Sequence, residues 1–423
     1  MKISFFSNYF NHHQEALCNA FYQRLNEGFT FIETEPMEEF RSQMGWGRPA
    51  PGYVLKSYLS PENEKKAEEL AMESDVVIFG TAPEHFIEKR LEANKLIFRY
   101  SERPLKEGRI KVLIPRLAKK FYHNHFRNRN KNIHILAASA YCASDYKFLH
   151  SYIGKCYKFG YFPEKEGKSF EELAELKNEN KPLKILWAGR FLKLKRADLF
   201  LSAAAECRKK GYDFTIEMVG SGEEEGHLKS LTEKLSLSDI TEYKGFLSPE
   251  ETRERMERAD IFVMTSNFLE GWGSVIYEAL SSGCAVIASH AAGATPFLVE
   301  DGVTGRIFKS GSRESLISAL EALLKEPEKI RELGKKAYDN MQEYWNPDTA
   351  AGRIIEMSEY MLENKEKIYE KGLCQSASTF TITGLIDEKD PVFNGISHRP
   401  ARGSPVFNGN DSCSPGGTPG VRI

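Results

Sequence analysis

Two glutamates eight positions apart, Glu270 and Glu278, bracket the turn Gly271-Trp272-Gly273 and the expected helix start at Ser274. Paired glycines let the backbone approach a ligand closely, and the helix behind them offers unpaired N–H groups and a partial positive charge suited to phosphate. Carboxylates are poor partners for phosphate itself, so the natural groups for Glu270 and Glu278 to hold are hydroxyls, such as those of a sugar and a ribose. The competing reading leaves Glu278 facing solvent on an amphipathic helix. A second constellation, Gly189-Arg190 through Lys195, follows the expected strand 184–188. An Arg and a Lys five apart on a turn at the carboxyl end of a strand converge on one dianionic group. A third candidate is the loop 7–13, where His12 or His13 binds phosphate or an acceptor, or else serves as a helix cap or surface residue.

These residues need elements to carry them. Residues 2–7 read as a buried strand and 14–25 have helical apolar spacing; strands follow at 75–79, 95–100 and 133–138, with a helix at 62–72. Around 155–163 the pattern gives way to an aromatic, Gly- and Pro-containing connector, and the charged stretch 165–184 follows. A second alternating series begins at 184–188 and continues with strands 215–219, 240–244, 261–265 and 285–289 between helical segments. Such alternation implies two α/β domains in tandem, each a doubly wound parallel sheet, with ligands beyond the carboxyl ends of the strands and in the cleft between domains. The expected units are 1–163, 164–345, a helical segment 346–374 and a Gly-, Pro- and Ser-rich disordered tail, 375–423.

The pattern Glu, seven residues, Glu around a Gly-aromatic-Gly turn resembles the signature of retaining family 4 glycosyltransferases (glycosyl transferases group 1) of bacterial surface-polysaccharide type. Gly220-Ser221-Gly222, Gly245-Phe246, Ala259-Asp260 and Asp301 to Gly305 follow the same order as in that family. The resemblance covers about 184–345; the N-terminal half is similar only in layout. It implies the GT-B architecture of two facing Rossmann-like domains, a nucleotide-sugar donor, an acceptor hydroxyl on a glycan or lipid-linked molecule, and retention of configuration. It implies no cofactor or obligatory metal. By that resemblance Glu278 holds the ribose and Glu270 the transferred sugar, while Gly189 and the backbone of Gly271, Trp272, Gly273 and Ser274 cradle sugar and diphosphate. Arg190 and Lys195 contact the departing nucleoside diphosphate. The family places a His or acidic residue near the end of the strand 95–100, which makes Glu102 the acceptor-side candidate, with Arg103 as its partner or a substrate clamp; a plain ion pair competes. The chain departs from the family at Thr265, Trp272 and Phe297, where Pro, Phe and Glu respectively are frequent. A nucleotide-sugar epimerase of the same layout and a non-catalytic sugar-nucleotide sensor are the alternative functions.

Composition bounds the partners. The 423 residues carry 58 Lys plus Arg against 60 Asp plus Glu, so a net charge of −2 argues against whole-molecule attraction to a polyanion. Charge is distributed unevenly. Residues 103–131 hold ten Lys or Arg against the single acid Glu107, interleaved with apolar residues such as Leu113, Ile114, Leu117 and Phe121. A basic helix with an apolar face reads as a membrane-surface element, with nucleic acid as a less favoured partner and a solvated basic face as the plain alternative. Seven scattered cysteines, none spaced Cys-x-x-Cys, fit a reducing compartment and offer no zinc site. A cytoplasmic protein, peripheral on the inner face of the membrane, is the expectation.

Overall fold

The computed structural model describes residues 1–39, 47, 49–163, 167–178 and 182–380. Thirteen strands are described: β1 (Ile3–Ser7), β2 (Phe29–Glu33), β3 (Val54–Lys56), β4 (Val76–Phe79), β5 (Ile97–Ser101), β6 (Ile133–Ala137), β7 (Cys156–Lys158), β8 (Leu183–Ala188), β9 (Phe214–Val219), β10 (Thr241–Gly245), β11 (Ile261–Met264), β12 (Ala285–Ser289) and β13 (Gly305–Phe308). They form a seven-stranded sheet ordered β3-β2-β1-β4-β5-β6-β7 and a six-stranded sheet ordered β10-β9-β8-β11-β12-β13. Every pairing between these strands is parallel. Helices on both faces explain why β1, β4, β11 and β12 are buried at every residue and read as unbroken apolar runs rather than alternating ones.

The strand order reverses between β1 and β4 in the first sheet and between β8 and β11 in the second. Ligand crevices of open sheets form at such reversals. The loop after β1 with the helix start His12-His13, and the loops after β8 and β11 with Arg190 to Lys195 and Glu270 to Gly273, are therefore where the topology predicts chemistry.

Three parts of the chain differ from the sequence expectations. The connector 155–163 contains β7, whose three residues are too few to show a period. The charged stretch after it contains the helix Phe170–Lys177, closed by a capping box in which Ser169 and Glu172 satisfy each other's backbone donors. Residues 375–380 were expected to belong to a structureless tail, yet they are held against the first sheet. Cys374 N–H donates to Lys158 O (2.9 Å), Lys158 N–H to Gln375 O (2.8 Å) and Ala377 N–H to Cys156 O (2.8 Å), with Ser376 opposite Tyr157 in antiparallel sense. Ser144 then ties the backbone of Phe380 through both its N–H and its carbonyl. The remainder of the expected tail, 381–423, lies outside the described residues.

The segment expected to be helical from Trp345 is helical over Pro347–Leu362 and lies against the first domain, where Arg24 meets Asp348 at 2.5 Å. One apolar cluster runs through both domains by way of Phe159, Phe162, Trp272, Tyr277 and Trp345. The domains thus share packed surface close to the Gly-Trp-Gly turn.

Candidate active site

The turn after β11 is shaped by what presses on it. Gly273 has φ +93°, and a Cβ there would stand 2.8 Å from Met264 Cε; it caps the helix Ser274–Ser281 from a left-handed conformation that side chains resist. A Cβ on Gly271 would lie 1.9 Å from Glu102 Oε2, so a side chain there would push aside that carboxylate from the opposite domain. On its other side the Gly271 carbonyl would stand 2.1 Å from a Cβ on Gly293.

Lys195 and Glu270, 75 residues apart, form an ion pair of 2.5 Å that is mostly buried. Ser266 Oγ donates to the same Glu270 oxygen at 2.9 Å. Burial alone would push the Glu270 carboxyl upward, but the Lys195 ammonium, aided by Ser266, holds it below the usual carboxylate range. Thr265 fixes the pairing from beneath: its hydroxyl donates to Lys195 O (2.7 Å) and accepts from Trp187 Nε1 (3.1 Å). The Asn267 N–H adds a bond to Leu194 O (2.9 Å). The loops after β8 and β11 are therefore sewn together, and Thr265, a departure from the resembled family, is one of the stitches. Arg190 sits on the same loop, exposed, with no side-chain partner among the described residues.

Across the cleft, Glu102 follows β5. Burial, reinforced by the nearby Glu270 charge and opposed by Lys106, raises its carboxyl above the ordinary range. Tyr161 donates to Oε1 at 3.2 Å, and Lys106 stands 3.5 Å from Oε2. The two acids thus face each other with opposite tendencies, Glu270 toward the carboxylate and Glu102 toward the acid form.

Glu278 lies on the helix Ser274–Ser281, partly exposed. Burial pushes its carboxyl up to about 7 against the pull of Arg253 and Ser274.

Two sequence expectations need correction. Arg103 does not pair with Glu102 or reach into the cleft; its guanidinium is buried and grips Asp145 through two 3.1 Å bonds while lying over the Tyr141 ring. A desolvated guanidinium takes the planar, bidentate partner, and Asp145 is fully buried beside it. Neither histidine caps its helix, because Asn11 does, accepting from the His13 N–H. Burial, then His12, lowers His13 to about 3, so it is a neutral imidazole and no cationic phosphate ligand at pH 7. His13 instead lies 5.9 Å from the Tyr161 ring. The Trp272 side chain is 2% exposed and packed against the first domain beside Tyr161, which leaves the expectation for its backbone untouched.

Sequence reasoning missed Lys106, Tyr161, Ser266 and Thr265. The last two carry a weak signal, hydroxyl residues at the carboxyl end of a buried strand; Lys106 and Tyr161 carry none beyond their neighbours. No cluster of three or more potential metal ligands occurs among the described residues.

Two facing parallel-sheet Rossmann-like domains with loops meeting at their strand-order reversals are the fold of the GT-B glycosyltransferases. HepE of Anabaena, solved with UDP, is similar with a TM-score of 0.61 at 16% identity, covering 84% of this chain and 99% of its own. The lipopolysaccharide glycosyltransferase WaaG gives 0.55 at 15% identity, covering 83% and 99%. Residues 169–340 match the family model described as glycosyl transferases group 1. The D-inositol 3-phosphate glycosyltransferase of Corynebacterium aurimucosum is 30% identical over 166 residues, 38% of this chain and 39% of its own length. The amylovoran biosynthesis glycosyltransferase AmsK of Erwinia amylovora is 28% identical over 146 residues, 33% and 36%. The matched segment spans about two fifths of the length of these curated relatives.

Proposed function

We propose that this protein transfers a sugar from a nucleoside-diphosphate sugar to an acceptor hydroxyl with retention of configuration, in the synthesis of a surface polysaccharide or glycolipid. The observation that carries the reading is the meeting of the Lys195–Glu270 pair and the Gly271–Ser274 turn at one strand-order reversal, opposite Glu102. That UDP occupies the HepE structure supports the donor class.

In this reading the diphosphate lies against the start of the helix Ser274–Ser281, with Lys195 and Arg190 as its cationic partners. As the glycosidic C–O bond breaks, negative charge grows on the leaving phosphate, and donors already aimed there lower the barrier. Glu270, held ionised, accepts from sugar hydroxyls, and Glu278 from the ribose. A donor phosphate oxygen takes the proton of the attacking hydroxyl on the same face, so no protein base is compulsory; Glu102, with Tyr161 and Lys106, orients the acceptor. The reading calls for no metal, because Lys195 and Arg190 supply the positive charge.

A thermal-shift panel of nucleotide sugars, followed by transfer assays with membrane extract, tests this. One donor at 100 times its dissociation constant should raise stability by about 2.7 kcal/mol, and product NMR should show the donor's anomeric configuration. An epimerised nucleotide sugar formed without acceptor, or binding without turnover, would replace the reading with an epimerase or a sensor.

The acceptor is proposed to be membrane-borne. The helix Pro115–Asn124 buries none of its residues, and Ile110, Leu113, Ile114 and Tyr122 are exposed, Leu113 to 72%. Arg116, Lys119, Lys120 and Arg127 are exposed around them. Each basic residue near anionic lipid contributes about 1 kcal/mol, screened by salt. Co-sedimentation with phosphatidylcholine vesicles should be weak, should strengthen with added phosphatidylglycerol, and should fall at least tenfold in Leu113→Asp. Tighter, salt-sensitive binding to RNA than to those vesicles would overturn the membrane assignment. No helix among the described residues is long and apolar enough to cross a membrane.

A further inference from the structure

We infer that Trp272 and Gly160 form a knob and hole between the domains, and that seating the Trp272 indole in this hole sets the geometry of the donor turn. The inference rests on the proposed transfer reaction and adds to it a positioning residue.

A Cβ built on Gly160 would stand 2.4 Å from Trp272 Cζ2 and 2.9 Å from Cη2. Contacts so short do not occur between packed atoms, so the outer ring of the indole occupies the place of the missing side chain. Both partners are fixed. Tyr100 donates to Gly160 O at 2.6 Å, and Tyr161 ties the next residue to Glu102. The indole is flanked by Tyr161 at 6.5 Å and Phe297 at 6.2 Å, while Ala294 N–H donates to Trp272 O at 2.9 Å. The indole Nε1 meets no acceptor among the described residues, so shape holds it.

Neighbouring residues of one turn thus clasp the first domain in opposite directions. Trp272 reaches out to Gly160, and Glu102 reaches back to Gly271. Both contacts end on the laced unit of Tyr100 to Glu102 and Gly160 to Tyr161. Separating the domains would withdraw the indole and release Gly271, so the turn takes its donor-ready shape only with the cleft shut. Displacements of about 1 Å at a reacting centre cost on the order of 100-fold in rate.

Gly160 is not among the residues with positive φ, so alanine fits its backbone and the substitution tests the indole contact alone. Gly160→Ala should lower kcat about 100-fold, should weaken UDP binding as the turn is displaced, and should raise acrylamide quenching of tryptophan fluorescence. Trp272→Phe removes the atoms that collide. In the double variant the loss from Gly160→Ala should vanish, leaving the activity of Trp272→Phe alone, a non-additivity that simple destabilisation would not produce. If Gly160→Ala does not fold but the double variant does, the clash is read in stability and the pairing stands. Wild-type turnover and quenching in Gly160→Ala, additive losses, or a double variant no better folded than the single would overturn it. Failure of the wild type to bind any nucleotide sugar would defeat the transfer reading instead, and the quenching comparison would still decide the knob and hole.

Discussion

Lys195→Ala should reduce turnover at saturating donor by about 100- to 1,000-fold, the loss seen when one preorganised donor to a developing oxyanion is removed. Two effects add here. The departing diphosphate loses a cation, and Glu270 loses the partner that holds its carboxyl below the ordinary range at 2.5 Å. Without Lys195, burial dominates and the Glu270 carboxyl moves up. The acid limb of the pH–rate profile should therefore shift to higher pH in the variant, a change that loss of a phosphate contact alone would not cause. Lys195→Arg should restore charge but little rate, because a planar fork cannot replace an ammonium in a pocket shared with Ser266. A variant within threefold of wild type, with an unmoved acid limb, would remove Lys195 from the mechanism.

Glu278→Gln should weaken UDP binding about 10- to 100-fold at pH 8 and much less at pH 6. In the free protein the carboxyl is pushed to about 7, so wild-type affinity should rise as pH passes upward through that value, when the side chain becomes able to accept from both ribose hydroxyls. The Gln variant should show no such rise. Stability runs the other way. The folded chain holds this proton up to about 7, whereas the unfolded chain releases it near the ordinary carboxyl value of 4.5. The group's contribution is thus greatest at low pH and is lost as pH rises across that window. Glu278→Gln should escape the loss and melt above wild type at pH 8, a trade of stability for function. Titration calorimetry and melting curves at pH 6 and 8 check both signs; parallel pH dependence in the two proteins would remove the carboxylate from the ribose site.

The frame of the site was legible because it rests on local signals. Apolar runs such as Val76–Phe79 and Ile261–Met264 announce strands buried on both faces, and turn residues at their carboxyl ends announce the crevice. Pairings across long separations were not legible. Nothing in the sequence ties Lys195 to Glu270 or Arg103 to Asp145, 42 residues away. Trp272 shows the limit most clearly. Its position between two glycines speaks only for its backbone; side-chain direction is set by where a partner domain leaves room, and Gly160 leaves it. The pairing of 374–377 escaped for another reason, since a short segment bonded along a sheet edge, polar at Gln375 and Ser376, needs no apolar alternation.

That edge segment changes what the first sheet offers to its surroundings. An open parallel sheet ends in a row of unpaired amides and carbonyls, a template on which foreign strands can polymerise. Along β7 the chain's own 374–377 already fills the row, in antiparallel sense where its neighbours are parallel. Clipping the protein before Cys374 should therefore convert a finished border into a sticky one, and self-association would reveal the damage before any change in catalysis did.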